Sequence, residues 1–155
     1  MGVGETTQAQ AEAVGHWMAE ADRFARGLGI RLVSVAPGRC VVEMPVTEAL
    51  HNGVGTTHGG ATFTLADFAF AIAANSHGRT AVALSTQMSY PAASRAGDTL
   101  TATASEESLG GRTGLYRVEV RRGDGTLVGL FTGTVFRRSD AIGPAADSAD
   151  GQVGG

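Results

Sequence analysis

The sequence predicts an α+β fold in which an antiparallel sheet of about six strands wraps one long central helix, with a further helix at the N-terminus. Two observations carry this reading. Between Ala61 and Ser76 the only ionisable side chain is Asp67, and a helix apolar on all its faces belongs inside a domain. Most of the remaining chain alternates apolar and polar residues with period two, the pattern of antiparallel strands with one face on a core. Such a sheet covers a helix of that kind by curling round it.

The elements follow in order. Residues 9–26 put Val14, Trp17, Met18, Ala21 and Phe24 on one stripe, with Gly27 as a stop, which predicts an amphipathic helix packed on the core. A strand over 30–35 turns at Pro37-Gly38. In strand 39–46, Cys40, Val42, Met44 and Val46 alternate with Arg39 and Glu43, so Cys40 reads as a small core hydrophobe. A glycine-rich loop leads into the central helix, 59–75. Strand 80–90 alternates Val82, Leu84, Thr86, Met88 and Tyr90, and strand 99–107 sets Leu100, Ala102 and Ala104 among threonines. Strand 113–121 opposes Tyr116, Val118 and Val120 to Arg117, Glu119 and Arg121. Asp124-Gly125 is a hairpin signal before a last strand, 126–136. After Arg138 the chain reads SDAIGPAADSADGQVGG, too poor in apolar residues to order itself. The expected organisation is one domain over 1–138, with 1–8 flexible, and a disordered tail over 139–155.

Composition narrows the function classes. At 155 residues there is material for one core. All twelve basic residues are Arg; of the 15 acids, Asp140, Asp147 and Asp150 lie in the tail, so the body to Arg138 is formally neutral. That argues against a nucleic-acid surface, which needs clustered positive charge. Mean hydropathy is near zero, +0.03, and no apolar run reaches the roughly 18 residues of a membrane span. MGVGETTQAQ has neither the basic nor the apolar region of a signal peptide. A single Cys excludes an internal disulfide and fits a reducing, cytoplasmic compartment.

The chemistry concentrates in HNGVGTTHGGATFTLAD, residues 51–67. A carboxylate inside an apolar helix costs several kcal/mol unless paired, hydrogen-bonded or neutralised, so Asp67 is either satisfied by structural partners or a working acid. Common motifs fail here. Gly53-Val-Gly55 begins like a dinucleotide fingerprint, but His58 takes the third glycine position and the strands that follow are antiparallel. There is no P-loop. His51, His58 and Asp67 lack zinc spacing, so no metal and no organic cofactor is expected. Ser85 and Ser89 sit in a strand, not in a nucleophile elbow. The backbone N–H groups of Gly59 and Gly60 open the helix unpaired and aligned with its dipole, a ready oxyanion donor. An acid plus an oxyanion donor is equipment for acyl transfer or hydrolysis. Yet Asp67 lies eight residues into the helix, roughly 12 Å from its start at 1.5 Å per residue. One subunit can hardly bring both to one atom; two copies packed antiparallel can.

HNGVGTTHGG, LAD eight residues after Gly59, then GDTLTATA and GRTGLY resemble the hotdog-fold acyl-CoA thioesterases of the PaaI, phenylacetyl-CoA thioesterase, type. The likeness covers roughly residues 28–138 and is most specific from Asn52 to Asn75. It implies a hotdog fold, active sites at a dimer interface, and homodimers or dimer-of-dimers tetramers acting on an acyl-CoA thioester, with an aromatic acyl group expected. It implies Asp67 as general base or nucleophile, Gly59 as the oxyanion N–H, Asn52 as holder of the attacking water, and His58 as a brace of the loop or polariser of the carbonyl. A strand serine that assists in some relatives aligns with Ala83, with Ser85 two residues on. Arg112, Arg137 and Arg138 are candidates for the CoA phosphates. Structural readings stand beside these: His58 as an N-cap neighbour, Asn52 as a turn residue, the arginines as solvated charges. A hotdog dehydratase or hydratase and a non-catalytic acyl-CoA binder are the alternative functions.

Overall fold

The computed structural model describes residues 4–144 and residue 146. Helix α1 (Gln8–Ala21) starts at Thr7, whose side chain accepts from the Gln10 N–H. It ends at Asp22, which turns extended and at once caps α2 (Arg23–Gly27) by accepting the Ala25 N–H at 2.9 Å. The single helix expected over 9–26 is therefore two. The break rotates the second away from the first, leaving Ala21 and Phe24 exposed rather than on a common buried stripe.

Six strands form one antiparallel sheet in the order β1 (Arg31–Ala36), β2 (Arg39–Pro45), β4 (Thr99–Leu109), β5 (Thr113–Arg121), β6 (Leu127–Ala141), β3 (Arg79–Ser89). The β1–β2 turn uses Gly38 at φ +71°, a conformation that favours glycine. The sheet curls round α3 (Gly59–Asn75), whose Leu65, Phe70 and Ile72 are buried among Met44, Leu100, Tyr116 and Phe131. Phe70 meets Tyr116 edge-on at 5.7 Å and Phe131 at 5.2 Å. Cys40 is fully buried, and burial pushes its thiol up to about 12. This is the predicted α+β architecture, with the central helix where the sequence put it.

Three departures matter. The helix is not covered on every side: Phe63, Thr64, Asp67 and Ala71 form a partly exposed stripe. In β3 the expected buried alternation fails, since Val82 and Leu84 are 43% and 60% exposed. A bulge between Ala83 and Ser85 shifts the register there, on an edge strand whose far side is unpaired. β6 runs three residues past the predicted boundary at 138, because Arg79 of β3 pairs with Ala141, and the Ile142 N–H then donates to the Gly78 carbonyl. Most of the predicted tail, Ala145 and residues 147–155, lies outside the described residues, as do residues 1–3. Among the described residues no helix is long and apolar enough to cross a membrane.

Candidate active site

The loop before α3 is a self-bracing turn. The Asn52 N–H donates to the Thr56 carbonyl, and Asn52 Oδ1 accepts the N–H groups of Val54 and Thr56 at 3.1 and 3.2 Å. Asn52 Nδ2 donates to Thr56 Oγ1. In the single chain Asn52 is therefore committed to the loop's shape, an Asx-type turn. A buried pair ties the loop to the 90s segment: Thr57 Oγ1 and Ser94 Oγ share a hydrogen bond of 2.5 Å. His51 Nε2 accepts the Ala96 N–H at 2.9 Å, so its ring also serves the scaffold.

His58 is the N-cap of α3. Its Nδ1 accepts the Gly60 N–H at 2.9 Å, and its carbonyl takes the N–H groups of Ala61 and Thr62. This alters one expectation. Gly60 is not an open donor, because His58 occupies it; a Cβ at Gly60 would also stand 3.0 Å from His58 Nδ1. Gly59 keeps its N–H without an acceptor among the described residues, at the positive end of the helix. It lines a cleft of about 420 Å³ with Asn52, Thr57, Thr62, Tyr90 and Ser94. The Tyr90 hydroxyl donates to the Gly59 carbonyl at 3.2 Å and steadies the turn.

Asp67 lies two turns along the helix on its partly exposed stripe and has no hydrogen bond or ion pair among the described residues. Its carboxyl is held above the usual range, first by burial and then by the nearby charge of Asp22. A base that gives up solvation without gaining a partner is suited to taking a proton from a bound group. Sequence reasoning missed Asp22, which reads as an ordinary helix-surface acid until the α1–α2 break sets it toward α3.

Among the described residues of the single chain no hydrogen bond joins a strand serine to this carboxylate. Ala83 pairs with Val135, and beyond the bulge Ser85 lines a separate cleft with Leu115, Thr132 and Thr134. The arginines divide. Arg112 is exposed, and Arg138 is ion-paired to Asp140 at 2.8 Å. Arg137 is buried, and its Nη1 donates to the Gly110 carbonyl at 2.7 Å, so it braces the β4–β5 turn. Arg79, missed in the sequence, joins them round a cleft of about 400 Å³, bonded to the carbonyls of Gly111, Arg137 and Arg138. Only strand pairing brings it there.

The turn at Gly59 and Asp67 fall within a stretch that resembles known enzymes. The thioesterase superfamily model matches residues 54–129, which hold Gly59 and Asp67. The acyl-coenzyme A thioesterase PaaI of Escherichia coli K12 is 43% identical over 127 residues, covering 82% of this chain and 91% of that protein. The structure of the E. coli PaaI protein from the phenylacetic acid degradation operon superposes with a TM-score of 0.86 at 40% identity, covering 88% of this chain and 99% of that one. A Streptococcus mutans UA159 protein bound to acetyl CoA matches with a TM-score of 0.70 at 28% identity, covering 72% and 90% of the two chains. With a hotdog sheet round its helix and a PaaI likeness along four-fifths of its length, the chain belongs to the thioesterase superfamily.

Proposed function

We propose that this protein hydrolyses acyl-CoA thioesters to the free acid and CoA, in an assembly where the Gly59 turn of one copy meets Asp67 of another. The observation that carries the reading is the separation of an unoccupied oxyanion donor from an unpartnered carboxylate on one helix, roughly 12 Å apart in one chain. The thioester carbonyl accepts from the Gly59 N–H. Asp67 of the other copy takes a proton from water as the oxygen bonds to the carbonyl carbon. The tetrahedral oxyanion collapses, the C–S bond breaks, and the departing thiolate takes up the proton. If Asp67 attacks directly, a mixed anhydride forms first and water then opens it. Asn52 and His58 keep the turn in shape, and Arg112, Arg138 and Arg79 offer cations for the CoA phosphates.

Assembly has two supports. The outer edge of β3 is unpaired over eleven residues and open to a second copy. The outer face of the sheet exposes Val82, Leu84, Leu115 and Phe136, an apolar patch able to join two dimers. An aromatic acyl group, a place in phenylacetic acid degradation and a cytoplasmic setting complete the proposal, on the likeness to PaaI and the free thiol of Cys40. The test is thiol release from a panel of acyl-CoA esters, with enoyl-CoA hydration as a parallel assay. Release that Asp67→Asn abolishes supports the reading; hydration without release, or binding without turnover, replaces it.

A further inference from the structure

Helix α2 lays Phe24 and Leu28 over the start of α3, beside Gly60, Ala61 and Thr64, with Leu50 on the opposite wall. The hollow between them measures about 220 Å³. Its walls are mostly hydrocarbon, and the Thr64 hydroxyl is spent on the Gly60 carbonyl at 2.8 Å. It shares His58 and Gly60 with the turn that presents the Gly59 N–H. The larger cleft that contains Gly59 is mixed in character: Asn52, Thr56, Thr57 and Ser94 give it hydrogen-bonding groups, beside Tyr90, Pro91 and Val128. A thioester held at Gly59 thus has a cleft with hydrogen-bonding groups beside it and a mostly apolar hollow beyond Gly60. The thiol arm of CoA carries amides that need hydrogen-bonding partners, whereas an acyl chain needs hydrocarbon.

We infer that the hollow under Phe24 and Leu28 is the acyl subsite and that Phe24 sets which acyl groups fit. The inference rests on the thioesterase reading above. Phe24 is 68% exposed in the single chain, an aromatic poised over an apolar hollow rather than buried in the core. The hollow's size is on the scale of one ring on a short linker or a medium-length chain rather than a long acyl chain.

The experiment measures kcat/KM for acetyl-, phenylacetyl- and palmitoyl-CoA with the full chain, together with inhibition by free CoA and sedimentation. Phe24→Ala should lower phenylacetyl-CoA turnover by roughly tenfold or more, the scale of lost pocket contacts, while acetyl-CoA turnover, CoA inhibition and assembly stay unchanged. Ala49→Phe, which narrows the hollow from the short turn Glu48–Leu50 on its other wall, should spare acetyl-CoA and lose phenylacetyl-CoA. An equal loss on every ester, a changed sedimentation with unchanged selectivity, or palmitoyl-CoA as the best wild-type substrate overturns the assignment; the second result would make this face a subunit contact. If the wild type releases thiol from no ester, the thioesterase reading itself fails and the subsite with it. If the wild type is active and neither variant changes the ratio of phenylacetyl- to acetyl-CoA turnover, the subsite alone fails.

Discussion

Replacing Asp67 with Asn should make the protein less active and more stable at the same time. The substitution keeps the shape of the side chain and removes its charge. If Asp67 is the base or nucleophile, kcat falls by about 100-fold or more with little change in KM, a loss of roughly 2.7 kcal/mol of transition-state stabilisation at 1.36 kcal/mol per decade. The stability effect has the opposite sign. Burial and Asp22 hold the folded-state pKa of Asp67 above its ordinary value. The folded protein therefore keeps the proton to higher pH than the unfolded chain does. The cost of ionising the folded form begins as pH rises past the unfolded value, roughly 4, and grows until the folded value is passed. Asp67 is only half-buried in the single chain, which limits this cost. The gain should appear as a higher Tm for Asp67→Asn than for the wild type at pH 7, at roughly 2–4 °C per kcal/mol. The assay pairs thermal unfolding at pH 7 and at a series of lower pH values with phenylacetyl-CoA kinetics. The stability gap should narrow as pH falls and close below the unfolded value, where Asp67 is protonated in both states. A variant that unfolds at lower temperature at pH 7 and retains near-normal kcat would make Asp67 a structural residue and refute the reasoning.

Four further outcomes are expected. Mixing inactive Gly59→Pro and Asp67→Asn subunits should restore part of the activity, because one site of a mixed dimer has an intact turn and an intact carboxylate; no recovery after verified exchange of folded parents rules out a shared site. Asp22→Asn keeps the cap on α2, since Asn also accepts the Ala25 N–H, yet removes a charge that raises the Asp67 pKa, so the acid limb of the pH–rate profile should move to lower pH. Gly133→Ala should cost about 1–3 kcal/mol in denaturant unfolding, because its Cβ would stand 2.6 Å from the Phe70 ring. Cys40, with its thiol pushed up to about 12 by burial, should resist a thiol reagent at pH 8 in the native protein and react on unfolding.

How much of this was legible beforehand depends on where the deciding physics lies. The central helix was readable to its ends, Gly59 and Asn75, because a run with one ionisable group has no other stable home and its start is marked by two glycines. The strands β4 and β5 were readable because their alternation is decided by the core face. The break at Asp22 was not, since a helical stripe continues through it and only the cap on Ala25 reveals the turn. Nor was the bulge in β3: Ala83-Leu84-Ser85 contains neither glycine nor proline, and the shift is set by pairing with β6. The same pairing, a long-range contact invisible to composition, carries β6 into the polar stretch at Ser139–Ala141 and brings Arg79 to the other arginines. At the site, residue types were legible and their engagements were not. His58 and Asn52 have side chains that hydrogen-bond locally, so whether they serve the substrate or the loop depends on distances of a few tenths of an ångström.

The division of the site follows from the helix itself. A donor at a helix N-terminus is strongest where no residue caps it, and here His58 caps Gly60 and leaves Gly59. A carboxylate gains basicity by losing water, which on this helix happens only some way along its length, past the first turn that must stay open for substrate. The two requirements therefore pull the groups apart along one axis, and at 1.5 Å per residue no rotamer of Asp67 closes the gap. Under the proposed antiparallel pairing of two such helices the conflict would be resolved without altering either group: each start would face the other's carboxylate, and the partly exposed stripe of Thr64, Asp67 and Ala71 would become a contact rather than a defect. Association would also withdraw more water from Asp67, so the same step that completes the site would strengthen its base. Activity should consequently fall with dilution below the dimer dissociation constant more steeply than the folded fraction does, and a chain that remains fully active as a monomer would contradict this account.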